Sequence, residues 1–169
     1  MRRVPCTVIS AALAALIWAL PAPAQTAAFK ANVQGSFGIR NSTTCPPNLD
    51  CGRARIDGFG AATRALAITG FTPGVPAGCD SVTAVEHMVL DSDGSTLDLA
   101  LDAALCYPGS SRDSSDSPRA QGDPFKATGT FAVVGGTGVF AGATGSGTLT
   151  SVGAGDAIVI HYSGTLVIP

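Results

Sequence analysis

The chain has 169 residues, of which 46% are hydrophobic and 13% are charged, and its formal net charge is −2. This length suits a single domain with one buried core. The slight acidic excess leaves no basic stretch for nucleic acid or for an anionic membrane surface, so those two classes of partner are excluded.

The N-terminal segment is typical of a secretory signal peptide. Arg2 and Arg3 precede an apolar run that ends at Leu20, and small residues follow up to Ala24. This pattern predicts cleavage after Ala24, a single mature domain of residues 25–169, no membrane insertion after cleavage, and a secreted or periplasmic location. Without its two leading arginines the mature chain has 8 basic and 12 acidic residues, a net charge of −4.

Beyond the signal peptide the pattern is that of an all-β protein. Apolar or small residues alternate with polar ones from Phe29 to Ile39, as in a half-buried strand. Further strands are predicted within residues 53–59, 61–69, 79–90, 97–106, 125–134, 143–152 and 156–167. Eight antiparallel strands with short connections predict a closed up-and-down β-barrel, which leaves no exposed sheet edge.

The clearest predicted hairpin runs from Cys79 to Cys106 around a turn at Asp91–Gly94. Residues that face each other across this hairpin should have numbers that add to about 185, and the two cysteines satisfy this condition. An even number of cysteines in an exported chain indicates disulfides. We therefore predict a disulfide between Cys79 and Cys106 and, by exclusion, a second between Cys45 and Cys51.

The same register predicts which polar side chains face the barrel lumen. Glu86 shares a face with Leu99 and its neighbouring leucines, whereas Arg64 and Tyr162 lie on the inward faces of their own strands. Burying a lone carboxylate costs on the order of several kcal/mol, so Arg64 is the expected partner of Glu86. The cluster of Arg64, Glu86 and Tyr162 is either an ion pair near the barrel mouth or a ligand-orienting or acid–base site. A one-residue slip in register would instead turn Glu86 outward and His87 inward.

Metal and nucleophile signatures are weak in this chain. His87 and His161 fall on predicted outer faces without metal-ligand spacing around them, which argues against zinc. The acidic residues that begin at Asp91 lie on a strand hairpin, whereas a calcium loop of the EF-hand kind is flanked by helices. No Gly-x-Ser-x-Gly elbow is present. No metal and no cofactor are expected.

The glycine-rich stretch "VVGGTGVFAGATGSGTL", residues 133–149, needs a separate explanation. A dinucleotide fingerprint requires a helix directly after its glycines, and here a strand pattern follows Gly138. We therefore predict a tight turn with positive φ, followed by a strand bent at its glycines. Glycine also allows an aromatic ring, such as that of Phe131 or Phe140, to lie on bare backbone.

The segments "GTFAVVGGTGVFAGATGSGTL" and "HYSGTLVIP" resemble the C-terminal half of allene oxide cyclase-like and dirigent-like barrels. In that family a Gly-Gly-Thr-Gly turn links two strands before a final one. The close similarity covers roughly residues 125–169, and a looser similarity in strand order extends back to Phe29. The resemblance implies an eight-stranded barrel of the calycin type with an apolar lumen. The export signal and the cysteines separate this chain from the plant members.

Three functions follow from this pattern and resemblance. The first is binding of a small hydrophobic molecule in the lumen, through Phe29, Phe37, Leu99, Phe131 and Tyr162. The second is a cofactor-independent cyclase or isomerase reaction that uses Glu86, Arg64 and Tyr162. The third is a non-catalytic surface protein whose barrel is filled by its own side chains. The sequence leaves the oligomeric state open.

Overall fold

The computed structural model describes residues 24–36, 49–74, 79–108, 124–155 and 157–169. Its strands are β1 (Gln25–Ser36), β2 (Asp50–Ile56), β3 (Gly60–Pro73), β4 (Cys79–Leu90), β5 (Thr96–Cys106), β6 (Phe125–Gly136), β7 (Thr144–Ala154) and β8 (Ala157–Ile168). Each strand pairs antiparallel with the next, and β8 pairs with β1 to close the barrel. The prediction of a closed, eight-stranded, all-β barrel is confirmed. Residues 1–23, which hold most of the predicted signal peptide, lie outside the described residues.

Side chains alternate between the inside and the outside of the barrel, as the period of two in the sequence predicts. In β4, every second residue from Asp80 to Leu90 is buried, and the residues between them are more exposed. All eight strands contribute apolar side chains to one core, among them Phe29, Ile56, Leu66, Met88, Leu99, Phe131, Leu149 and Leu166. Removal of this apolar surface from water is the main favourable contribution to folding.

The register of the β4–β5 hairpin agrees with the sequence prediction. Glu86 lies opposite Leu99, and Met88 lies opposite Leu97. Glu86 is fully buried, whereas His87 is exposed on the outer surface. The one-residue slip, which would exchange the orientations of these two side chains, is therefore excluded.

The predicted disulfide within this hairpin is present. Cys79 and Cys106 face each other, and their Sγ atoms are 1.98 Å apart. Cys51 is disulfide-bonded as well. Cys45, its predicted partner, lies outside the described residues.

The glycine-rich turn closes the end of the barrel at which β2, β4 and β6 finish. A single turn of 3-10 helix, Gly138–Phe140, places the fully buried Phe140 ring against Phe59, with 4.8 Å between ring centroids. Gly138 has a φ of +60°, and a Cβ on Gly136 would lie 2.7 Å from the carbonyl oxygen of Phe140. The predicted positive-φ turn is confirmed. The expectation that a strand follows Gly138 directly is wrong, because a 3-10 turn occupies Gly138–Phe140 and β7 begins only at Thr144. Within the described residues no helix is long and apolar enough to cross a membrane.

Candidate functional site

A buried polar cluster lies inside the barrel between β2, β3, β4 and β8. Arg64 donates from Nε to Oε1 of Glu86 over 3.0 Å, and from Nη1 to Oδ2 of Asp50 over 2.8 Å. The Tyr162 hydroxyl donates to the second oxygen of Glu86. All four side chains are at most 4% exposed. The structure thus brings together the three residues predicted from the sequence and adds Asp50 to them.

A glycine makes room for the guanidinium group. Gly35 of β1, Gly52 of β2 and Arg64 of β3 lie beside one another in register on the inner face of the sheet. A Cβ on Gly35 would lie 2.4 Å from Nη1 of Arg64 and 3.2 Å from Oδ1 of Asp50. A side chain at position 35 would therefore occupy the space through which Arg64 reaches Asp50.

Burial sets the protonation behaviour of the cluster. Desolvation raises the pKa of Asp50 to about 6, since it outweighs the attraction of Arg64, and the charge of Glu86 adds to the rise. Desolvation, together with Glu86, also raises the pKa of Tyr162 well above its usual value, so the phenol keeps its proton and acts as a donor. With both carboxylates ionised the cluster has a formal charge of −1, and protonation of Asp50 makes it neutral.

Asp50 is the member of the cluster that the sequence analysis missed. The predicted strand began at Arg53, whereas β2 begins at Asp50. Ile56, Ala54 and Asp50 are buried in alternation along this strand. Extending the predicted strand toward the N-terminus, past Gly52, places Asp50 on the same inner face as Arg64.

An apolar cavity of about 60 Å³ lies toward the other end of the barrel, where the odd-numbered strands finish, and it is partly open to solvent. Its volume is enough for about four water-sized groups. The wall is mostly apolar and includes Leu66, Val82, Leu105, Phe125 and Ile158. Tyr162 also lines the cavity, so this residue belongs to both the cavity wall and the polar cluster. Arg64 and Glu86 do not line it.

The residues predicted as ligand contacts occupy different places. Phe29, Leu99 and Phe131 are at most 3% exposed and belong to the packed core, and none of them lines the cavity. The ring of Phe131 packs edge-on against that of Tyr162, with 5.5 Å between centroids. Tyr162 is thus the predicted contact that lies at the cavity. Phe37 is outside the described residues.

The remaining polar groups singled out in the sequence lie on the surface. Nδ1 of His87 is 2.5 Å from a carboxylate oxygen of Asp98, and His161 is also exposed. Asp93 accepts hydrogen bonds from the backbone N–H and hydroxyl of Ser95, which lower its pKa. Among the residues that the structure describes, no three His, Cys, Asp or Glu side chains are grouped so that they could hold a metal ion.

Fold and site together define a class of protein: a small antiparallel β-barrel with one closed end, an apolar cavity toward the other, and a buried polar cluster that meets the cavity at Tyr162. Neither a family model, nor a curated protein, nor a solved structure matches this chain. A fold does not by itself define a function, which depends here on the cavity and the cluster.

Proposed function

We propose that this protein binds a small apolar molecule in the cavity toward the end of the barrel where the odd-numbered strands finish. The observation that carries the proposal is the cavity itself. Protein interiors are close-packed, so an apolar space that the protein's own side chains leave unfilled is an exception. Because the 60 Å³ cavity is partly open to solvent, a small apolar molecule can reach it, and covering its apolar wall removes that surface from water.

The surroundings of the cavity favour the same function. Ile68 lines the cavity and is 51% exposed, and Phe71, further along β3 toward the same end, is 55% exposed. A register shift between Ile68 and Gly70 marks a bulge in β3 at this point. Exposed apolar side chains beside a cavity extend the surface that a ligand can cover. A ligand longer than the cavity could therefore continue along β3.

The cluster supports binding better than it supports the cyclase or isomerase alternative. Glu86 is fully buried and lies away from the cavity wall, and its two oxygens already accept bonds from Arg64 and Tyr162. A general acid or base must come within hydrogen-bond reach of the substrate proton that it transfers. The cluster holds the Tyr162 side chain in place, and its bonded groups offer no exchangeable proton at the cavity wall.

We also propose that the chain is an exported member of the allene oxide cyclase-like and dirigent-like barrels. The resemblance of residues 125–169 supports the family, and the eight-stranded barrel is compatible with it. The disulfide between Cys79 and Cys106 is compatible with an oxidising compartment. N-terminal sequencing of the protein isolated outside the host cytosol tests export, and we expect the chain to begin at Gln25.

The binding proposal is tested with toluene as a small apolar probe. In methyl-detected NMR titrations, we expect toluene to shift the signals of cavity-lining residues such as Leu66, Val82 and Ile158. Ala127 of β6 is buried in the cavity wall, whereas Ala132 of the same strand is exposed on the outer face. Ala127→Leu should fill the cavity and abolish these shifts, and Ala132→Leu should leave them unchanged. Absence of local shifts in the unmodified protein, or their persistence in Ala127→Leu, would refute the proposal.

A further inference from the structure

The cavity wall contains a buried hydroxyl group without a bonding partner. Ser151 of β7 lines the cavity and is 6% exposed. Its Oγ is buried and has no hydrogen-bond partner among the described residues. The residues beside it in register are Ala127 of β6 and Ile160 of β8, whose apolar side chains also line the cavity. Neither neighbouring side chain can satisfy the hydroxyl.

Such an unpaired group is unusual inside a folded protein. Buried polar atoms are hydrogen-bonded in the large majority of cases, because burial without a partner forfeits the bonds made to water. Ligand pockets commonly combine a mostly apolar wall with a few polar groups that orient the ligand. Ser151 has the free bonding capacity of such a group, and because its Oγ is covered, a rotation about its Cα–Cβ bond presents the hydroxyl to a ligand.

The charges around the cavity restrict the ligand further. Of the described residues that line the cavity, none is a Lys, Arg, His, Asp or Glu. The buried cation Arg64 is already paired with Asp50 and Glu86. A ligand carboxylate would therefore be desolvated without a cation to pair with it, and a ligand ammonium group would lack a carboxylate.

We infer that the ligand is an uncharged, mostly apolar molecule with an oxygen that forms a hydrogen bond with Ser151. This inference rests on the proposed function. A serine hydroxyl both donates and accepts hydrogen bonds. The class therefore includes alcohols, phenols, ketones and esters, and it excludes free fatty acids in their ionised form.

Three probes of similar size test this inference: toluene, benzyl alcohol and benzoate. Their affinities are measured by NMR titration at neutral pH for the unmodified protein, for Ser151→Ala, and for Ser146→Ala. Ser146 is the matched control, because it lies on the same strand and is exposed on the outer face. Each probe is compared across the three proteins, so the hydration of that probe cancels. The comparison of benzoate with benzyl alcohol on the unmodified protein includes the cost of removing the carboxylate charge from water.

We expect Ser151→Ala to weaken benzyl alcohol binding by about 3- to 10-fold, the effect of one neutral hydrogen bond. The same variant should bind toluene as well as the unmodified protein or better, and Ser146→Ala should change neither affinity. Benzoate should bind the unmodified protein at least about 10-fold more weakly than benzyl alcohol.

Two results would overturn the inference and leave the proposed function intact. One is toluene binding at the cavity with benzyl alcohol affinity unchanged in Ser151→Ala. The other is benzoate binding at the cavity as tightly as benzyl alcohol. Failure of toluene to bind the unmodified protein at the cavity would instead refute the proposed function, and the inference would fall with it.

Discussion

Replacement of Arg64 by methionine should destabilise the protein strongly, because Arg64 is the one cation of the buried cluster described above. It bonds Glu86 over 3.0 Å and Asp50 over 2.8 Å, and its side chain is inaccessible to solvent. Methionine has a similar length and no charge, so Arg64→Met leaves two buried carboxylates facing each other. Removing one partner of a buried ion pair costs about 3–5 kcal/mol, since the other partner remains buried and uncompensated.

The surface pair Arg53–Asp91 provides a matched control. Arg53 also pairs with an aspartate across the sheet, yet the two side chains are 57% and 40% exposed. Exposed ion pairs contribute at most about 1 kcal/mol, so Arg53→Met should cost less than that. Urea unfolding of both variants and of the unmodified protein measures the two costs on one scale.

The cost of Arg64→Met should also depend on pH. Asp50 has a pKa raised to about 6, so it is largely protonated in the folded protein at pH 5. Arg64 then compensates only Glu86, and the cost of its removal should be smaller at pH 5 than at pH 7. The reasoning is refuted if Arg64→Met and Arg53→Met have equal free energies of unfolding at pH 7.

Three further predictions concern the cluster and the cavity. The folded state binds the Asp50 proton more tightly than the unfolded chain does, so the free energy of unfolding should fall as pH rises from about 4 to about 6. We expect a fall of about 1–3 kcal/mol relative to Asp50→Asn, measured by urea unfolding across this pH range. Gly35→Ala should cost about 1–3 kcal/mol in thermal unfolding, since the added methyl group displaces Arg64; an unchanged melting temperature would contradict this account. Ser151→Ala should leave stability unchanged or raise it by up to about 2 kcal/mol, because it removes an unpaired buried hydroxyl; a clear loss would show that the hydroxyl is already bonded.

The fold could be predicted because two sequence patterns act on the same hairpin. Alternation of apolar and polar residues indicates strands, but it does not say which residues pair across them. The facing positions of Cys79 and Cys106 supply that register. Since side chains alternate strictly along a strand, the register also determines that Glu86 points inward and His87 outward.

The position of a residue along the barrel axis could not be predicted in the same way. Phe29 and Phe131 point inward as expected, but they lie in the packed part of the core, whereas Ser151 and Ile158 line the cavity. Height inside a barrel depends on the stagger between strands, which accumulates around the whole closed sheet. One hairpin register is therefore insufficient to separate core residues from cavity residues.

Irregular strands limited the prediction for a different reason. The predicted third strand ended at Thr69, whereas β3 continues to Pro73 past the register shift between Ile68 and Gly70. A bulge adds a residue on one strand only, so the alternation on which the prediction depends is broken there. The exposed Phe71 beside the cavity lies beyond this break.

The buried cluster meets the cavity at Tyr162 and helps to keep the cavity open. An apolar core adapts to a void by repacking, because its contacts have no strict direction. The bonds among Arg64, Glu86 and Tyr162 are directional, and Tyr162 cannot move into the cavity without losing its bond to Glu86. That loss would leave a buried carboxylate oxygen unpaired, at a cost of about 1–3 kcal/mol or more for a charged group. Collapse of this wall is therefore not favoured, and space remains for a ligand.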